Sequence, residues 1–569
     1  MKANVRLTSG RPATGVSRGG VSGTLSGHTC QMVGLSTMEF SSSKRNCEDK
    51  PLAYTSTPES TMTAARSRTR GILHRVVSPA RGLALATLLA SAACTGASAP
   101  GALDRLHLCT SAEGPTDGYC GHLEVYENRD ARAGRRIALN IVVLPSIGAD
   151  VRPDPVFFLA GGPGQGAAQM ARQIQVLFRG IQRDRDIVLV DQRGTGKSNP
   201  LNCRSDDESL RELSESDDQG IEKLKACLAK LQGDVRLYTT NIAMDDLDEV
   251  RAYLGYERIN LYGGSYGTRA ALVYLRRHEP HVRSVVLDGV APMDMRLPLF
   301  AARDAQRSLD KLLTDCAADP SCHAAFPGLA ERVRTLLARL EKQPARQRVV
   351  HPRTGAEEDV EVSARLVASI VFSALYSPLT ASIVPSLIGR AEHNDFQGLL
   401  ALAFAGEGAT DNLSLGMQLS VICSEDSGRF TTADLNHESA GTVFGTHLMV
   451  GQVKACEFWP KGSVEPSYYE PVVSEVPALV LSGELDPVTP PSWGQSVAKH
   501  LKNARHLVAS GTGHGVVATA CGNRLVKEFI ELGTAEGLDT SCVATIHRPG
   551  FFLTPAGPEP APQRGTSTQ

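Results

Sequence analysis

The chain has 569 residues and carries 59 Lys and Arg against 61 Asp and Glu, a net charge of −2. Residues 1–98 hold 12 basic and 4 acidic side chains, which leaves 47 basic and 57 acidic side chains in the rest. A body with that acidic excess excludes nucleic acid as the main partner, while its aliphatic content suffices for a large buried core.

Residues 1–61 are rich in Ser, Thr and Gly, show no apolar period and would bury too little to order themselves. They are expected to be a disordered leader, or to lie upstream of a true start at Met62 or another later Met. Residues 62–94 read as a signal peptide. Arg66, Arg68, Arg70, Arg75 and Arg81 make a basic n-region, and the run from Leu83 through "LALATLL" to Cys94 is too short to span a bilayer. No other stretch is long and apolar enough for a transmembrane span, so an exported protein is expected, periplasmic, extracellular or held at a bacterial envelope. Cys94 sits where a lipoprotein signal places its lipidated cysteine. Ser91 departs from the aliphatic residue usual there, and ordinary cleavage at Ala90-Ser91-Ala92 stays open as the alternative.

Of the 13 cysteines, ten follow the signal region: Cys109, Cys120, Cys203, Cys227, Cys316, Cys322, Cys423, Cys456, Cys521 and Cys542. An even number in an exported chain predicts disulfides, and sequence proximity predicts pairing in that order. No Cys-x-x-Cys pair is present to suggest zinc, so no metal is expected.

From about residue 120 short apolar strands alternate with helical stretches. Predicted strands are Ile137–Leu144, Val156–Ala160, Ile187–Val190, Ile259–Tyr262, Val285–Leu287, Ala478–Leu481 and His506–Val508. A helix before Ser265 is marked by Asp245, Leu247, Val250 and Leu254 at helical spacing. This rhythm predicts an α/β fold with a mostly parallel central sheet flanked by helices. Between Pro292 and about residue 470 the strands stop, and helices are predicted over Ser308–Ala317, Leu329–Glu341, Ala364–Leu375 and Ile383–Glu392. The expected organisation is a core in two parts, 95–291 and 471–547, a helical cap at 292–470, and a flexible Pro- and Gly-rich tail at 548–569.

The chemistry-bearing motif is Gly263-Gly264-Ser265-Tyr266-Gly267, a G-x-S-x-G after a strand and before a helix, as a nucleophile elbow requires. A nucleophilic serine needs a base and a residue to orient that base. Asp486 in "SGELDPVTPP" and His514 in "SGTGHG" follow in that order, each past a buried strand. Glu484 and Asp288 compete with Asp486, and His500 and His506 fit less well than His514. Two backbone N–H groups are needed to hold a developing oxyanion. Tyr266 supplies one, and the "AGGPGQG" loop the other, from Gly162 with Gly161 as alternative. Neither this loop nor "GTGKS" has the spacing of a phosphate-binding loop.

Together "GGPGQG", "DQRGTGKS", "GGSYGTRAALVYLRRHEPHVRSVVLDGV", "LVLSGELDPVTPP" and "GTGHG" resemble the proline iminopeptidase and tripeptidyl aminopeptidase group of the α/β-hydrolase superfamily, over roughly residues 105–545. The resemblance implies the α/β-hydrolase fold and a cofactor-free serine exopeptidase acting on peptides with free N-termini, with Ser265, Asp486 and His514 as its catalytic residues. One departure is Ala160, where proline iminopeptidases usually have His before Gly-Gly-Pro-Gly. The secreted tripeptidyl branch, with its region like "VICSED" to "CEFWP", is nearer. An aminopeptidase must hold an α-ammonium, and Glu425 and Asp426 are the expected carboxylates, fixed by a Cys423–Cys456 bridge. A carboxylesterase on the same machinery and a catalytically silent binding protein are the rival functions.

Overall fold

The computed structural model describes residues 102–111, 114–203, 216–351, 354–410, 413–554 and 557–558. The leader, the signal region and Cys94 lie outside the described residues. Nine strands form one sheet: β1 (His107–Ser111), β2 (Gly114–Tyr126), β3 (Arg136–Leu144), β4 (Val156–Leu159), β5 (Ile187–Val190), β6 (Ile259–Gly264), β7 (Val282–Asp288), β10 (Ala478–Gly483) and β11 (Ala504–Ala509). Two more, β8 (Ala345–Val350) and β9 (Glu357–Val362), pair with each other as a separate antiparallel hairpin.

The order across the large sheet is β1-β2-β3-β5-β4-β6-β7-β10-β11. From β5 to β11 every pairing is parallel, and β1, β2 and β3 add an antiparallel flank. This is the α/β-hydrolase architecture. The inner strands are buried on both sides, which explains their unbroken apolar runs. Phe157, Leu159, Val188 and Val190 face one core layer with the helices Thr240–Leu254 and Tyr266–His278. Their sequence neighbours Val156, Phe158, Ile187 and Leu189 face the other, where the helix Ala520–Leu532 contributes Leu525, Val526 and Phe529. The two-residue period of the strands assigns each side chain to its layer.

Between β7 and β10 the chain is helical except for the β8–β9 hairpin. Ala301–Ala318, Leu329–Lys342, Ala364–Ala374 and Pro378–Ala391 are helices around a core that includes Leu309, Leu336, Ile370 and Ile388. The hairpin was missed in sequence because three of its six β8 residues and four of its six β9 residues are polar or charged. No helix among the described residues is long and apolar enough to cross a membrane.

The ten cysteines pair in sequence order, Cys109–Cys120, Cys203–Cys227, Cys316–Cys322, Cys423–Cys456 and Cys521–Cys542. The expectation of a flexible tail from residue 548 is corrected over its described start. Phe551 is 6% exposed within the cap core. Arg548 pairs with Asp315 at 3.0 Å, and Phe552 N donates to Ser382 O. An aromatic side chain and a paired guanidinium give this segment enough to bind the cap despite its Pro and Gly content. The end of the tail, 559–569, lies outside the described residues.

Candidate active site

Ser265 joins β6 to the helix Tyr266–His278 with φ 57° and ψ −127°, a conformation costly for any residue with a Cβ. The turn is held because its neighbours are small. A Cβ at Gly267 would lie 2.1 Å from Leu159 O, and one at Gly263 would lie 2.4 Å from Gly267 O. Ser265 N donates to Asp288 O at 2.9 Å, which anchors the elbow to the end of β7.

His514 stands on the loop after β11 and Asp486 on the loop after β10. His514 Nδ1 lies 2.8 Å from Asp486 Oδ2. Asp486 is fully buried and also accepts from Val488 N at 2.9 Å, Thr489 N at 2.8 Å and Thr489 Oγ1 at 2.7 Å. Desolvation acts to raise its pKa, but the His514 charge and these donors win and hold it below the usual carboxylate range. For His514, desolvation lowers the pKa, yet the Asp486 charge and hydrogen bond, with the more distant Asp288 charge, leave it raised.

The imidazole is brought to the elbow through β7. A Cβ at Gly289, one residue past the Asp288 carbonyl that holds Ser265 N, would lie 3.2 Å from His514 Cε1. Among the described residues no hydrogen bond joins Ser265 Oγ to the ring. Such bonds are often long in ligand-free sites and tighten with substrate.

Asp288, Glu484 and His506 meet other partners. Asp288 accepts Val516 N and Val517 N at 2.8 and 2.9 Å, and Tyr262 Oη at 2.9 Å. It fixes the chain just after His514. Glu484 Oε2 accepts from Gly511 N. His506 Nε2 meets Ser482 Oγ at 3.0 Å, within the sheet.

The glycine loop after β4 lies against Ser265. A Cβ at Gly161 would fall 3.1 Å from Ser265 Cβ and 3.6 Å from its Oγ, so the Gly161–Gly162 peptide borders the space beside the hydroxyl. Gly162 adopts φ 107°. Tyr266 N is in the first turn of its helix, where amides have no intrahelical acceptor. Asp191, buried, ties this loop to the next one. It accepts Ala168 N and Asn140 Nδ2 at 2.8 Å, and Lys197 N at 3.0 Å.

Glu425 ends the helix Leu415–Glu425, and Asp426 follows it. Both side chains are fully buried. Glu425 accepts Thr240 N at 2.6 Å, Thr240 Oγ1 at 2.9 Å and Tyr468 Oη at 2.5 Å. Asp426 binds Arg269 Nη1 at 2.7 Å, and desolvation pushes its pKa up to about 6. With Thr240 Oγ1 2.6 Å from Tyr266 Oη, this network backs the nucleophile helix. Protein donors thus meet Glu425, and Arg269 meets one oxygen of Asp426 while its Oδ1 has no hydrogen-bond partner among the described residues; both carboxylates serve the fold here, and a role toward a substrate ammonium is left to the test below.

Sequence reasoning missed three residues that touch the site. Thr489 Oγ1 lies 3.1 Å from His514 Nδ1 as well as 2.7 Å from Asp486, and its place three residues after an Asp was the available signal. Arg307, from the cap, donates to Glu484 O at 2.8 Å and Asp486 O at 2.6 Å, beside Ser308 Oγ on Leu485 O at 2.6 Å. Tyr376, also from the cap, accepts His514 N on its carbonyl at 2.8 Å. Nothing local in the sequence links these two cap residues to loops more than a hundred positions away.

Residues 441–542 match a family model described as TAP-like protein. The chain is 26% identical over 463 residues to serine protease Hip1 of Mycobacterium tuberculosis, covering 75% of this chain and 88% of that one. It is 22% identical over 457 residues to tripeptidyl aminopeptidase of Streptomyces lividans, covering 74% and 83%. A solved proline iminopeptidase from Mycobacterium smegmatis aligns with 73% of this chain and 98% of its own at 17% identity, with a TM-score of 0.38.

Proposed function

We propose that this chain, an α/β-hydrolase with a TAP-like region at 441–542, is a serine peptidase that removes N-terminal residues or short peptides from peptides with a free N-terminus. The observation that carries this reading is the buried Asp486–His514 pair at 2.8 Å, on two loops at the same sheet edge as a serine held at φ 57°. The relatives named as serine protease and tripeptidyl aminopeptidase support a peptide substrate over a simple ester.

In this reading Ser265 Oγ attacks the scissile carbonyl while His514 Nε2 takes its proton. Asp486 keeps the other ring proton on Nδ1 and stabilises the imidazolium. The N–H groups of Gly162 and Tyr266 receive the oxyanion, aided by the N-terminus of the nucleophile helix. His514 then gives its proton to the leaving amine, and water, activated by the same imidazole, releases the acyl group from Ser265. The residues in these roles need no metal or organic cofactor.

A panel of peptides with free and acetylated N-termini, run beside nitrophenyl esters, tests the reading. Cleavage from free N-termini with poor turnover of acetylated peptides supports it. Turnover of esters with no peptide cleaved would assign the site to a carboxylesterase. The reading includes export, supported by five disulfides. Intact mass from the native host separates a lipidated start at Cys94 from cleavage after Ala92.

A further inference from the structure

We propose that Tyr376, in the turn between the cap helices Ala364–Ala374 and Pro378–Ala391, is a positioning and specificity residue of the Ser265 site. Its ring holds the His514 imidazole, and its hydroxyl binds the peptide group that follows the scissile bond. The proposal rests on the serine peptidase reading above and deepens it.

Three contacts fix Tyr376 against the base. Its carbonyl accepts His514 N at 2.8 Å. Its ring stands edge-on to the imidazole, with centroids 5.2 Å apart and planes at 76°. The preceding residue of the base loop must be glycine for the cap to come this close, since a Cβ at Gly513 would lie 2.2 Å from Tyr376 O. The ring is itself braced from behind by Phe372, edge-on at 5.4 Å, which in turn meets Phe444 at 6.3 Å. An aromatic column thus runs from the cap core to the imidazole, and edge-to-face pairs of this kind prefer one orientation.

The side chain is not spent inside the protein. Tyr376 is 36% exposed and Leu379, three residues on, is 54% exposed, so the turn presents an accessible surface beside the base. The Tyr376 hydroxyl makes no hydrogen bond to any other described residue, whereas Tyr238, Tyr256, Tyr262, Tyr266 and Tyr274 each find a partner. With an ordinary phenol value of about 10, the hydroxyl is protonated at neutral pH and able to donate. The leaving group takes its proton from the same imidazole that the Tyr376 ring packs against, and the unused phenol donor is assigned to that group. A peptide leaving group carries a carbonyl there that can accept; a nitroanilide does not.

The test compares Tyr376→Phe and Tyr376→Ala with the parent on a peptide substrate and on the nitroanilide of the same acyl part. Thermal melts show that each variant is folded. Tyr376→Phe is expected to lower kcat/KM about tenfold on the peptide, as loss of one hydrogen bond to substrate would, and to leave the anilide within about twofold. Tyr376→Ala is expected to lower kcat on both substrates, with KM for the anilide unchanged, and to move the pH midpoint of kcat/KM, because the imidazole loses its wall. Equal loss on both substrates in Tyr376→Phe overturns the leaving-group assignment. Unchanged kcat and pH midpoint in Tyr376→Ala overturn the positioning role. If the parent hydrolyses only esters, the peptidase reading fails and the leaving-group half of this proposal fails with it. The ring's role is still decided by kcat and the pH midpoint of Tyr376→Ala on the ester.

Discussion

Two buried aspartates, Asp486 by a hydrogen bond and Asp288 by its charge alone, act on His514, and exchanging each for asparagine separates their roles. Asp486 meets His514 Nδ1 and Thr489 Oγ1 through one oxygen and two backbone amides through the other. In Asp486→Asn the amide oxygen still satisfies Val488 N and Thr489 N, so the loop survives. The amide NH2 then faces His514 Nδ1 and forces that nitrogen to accept. The ring proton moves to Nε2, which can no longer take a proton from Ser265. The expected loss in kcat is about 10⁴-fold with little change in melting temperature. In Asp288→Asn the NH2 group confronts a backbone N–H, because both carboxylate oxygens accept from Val516 or Val517. One buried donor loses its partner, at a cost of about 1–3 kcal/mol of stability, while the tautomer of His514 is untouched and kcat falls less than about tenfold. Steady-state kinetics with calorimetry on both variants checks this. A folded Asp288→Asn protein that has lost about 10³-fold or more, beside an active Asp486→Asn protein, would refute the assignment of the acid.

Because His514 is raised above the ordinary histidine value by Asp486, kcat/KM should climb with pH to a midpoint above about 6.5, and Asp486→Asn should lower that midpoint. The same shift makes the charged pair stabilising at low pH, a contribution lost as pH rises through the folded value of His514; a pH series of melts reads it. Glu425→Gln should cost about 1–3 kcal/mol, since one of its buried donors then faces an NH2 group. Its activity loss should be equal on free-amine peptides and on esters; a selective rise in KM for free amines would assign Glu425 the ammonium-binding role. Phe551→Ala should destabilise by about 3 kcal/mol or more, as for other buried phenylalanines, whereas a melt unchanged from the parent would mean the tail is not anchored there.

The inner strands were legible because burial on both faces leaves an unbroken apolar signature, and β5 was predicted to its exact ends. The outer antiparallel strands β1 and β2 and the β8–β9 hairpin were not, since an exposed strand mixes polar and apolar residues without a strong period. Local pairing of the cysteines was legible because each partner is near in sequence, the farthest 33 residues away. The positions of Ser265, Asp486 and His514 on loops past strand ends followed from motif order. What the carboxylates of Glu425 and Asp426 touch did not, because their partners Thr240, Arg269 and Tyr468 come from three separate segments. The contribution of the cap, through Arg307 and Tyr376, was hidden for the same reason.

The strap of Arg548 to Phe552 bears on how the molecule is completed during synthesis. It is among the last described segments to leave the ribosome, yet it covers apolar surface on helices made more than 150 residues earlier, where Phe552 N meets Ser382 O. Until that end is released, the cap exposes the site that Phe551 fills. A chain that stops before residue 551 therefore leaves that apolar patch open, and one that carries Phe551 covers it.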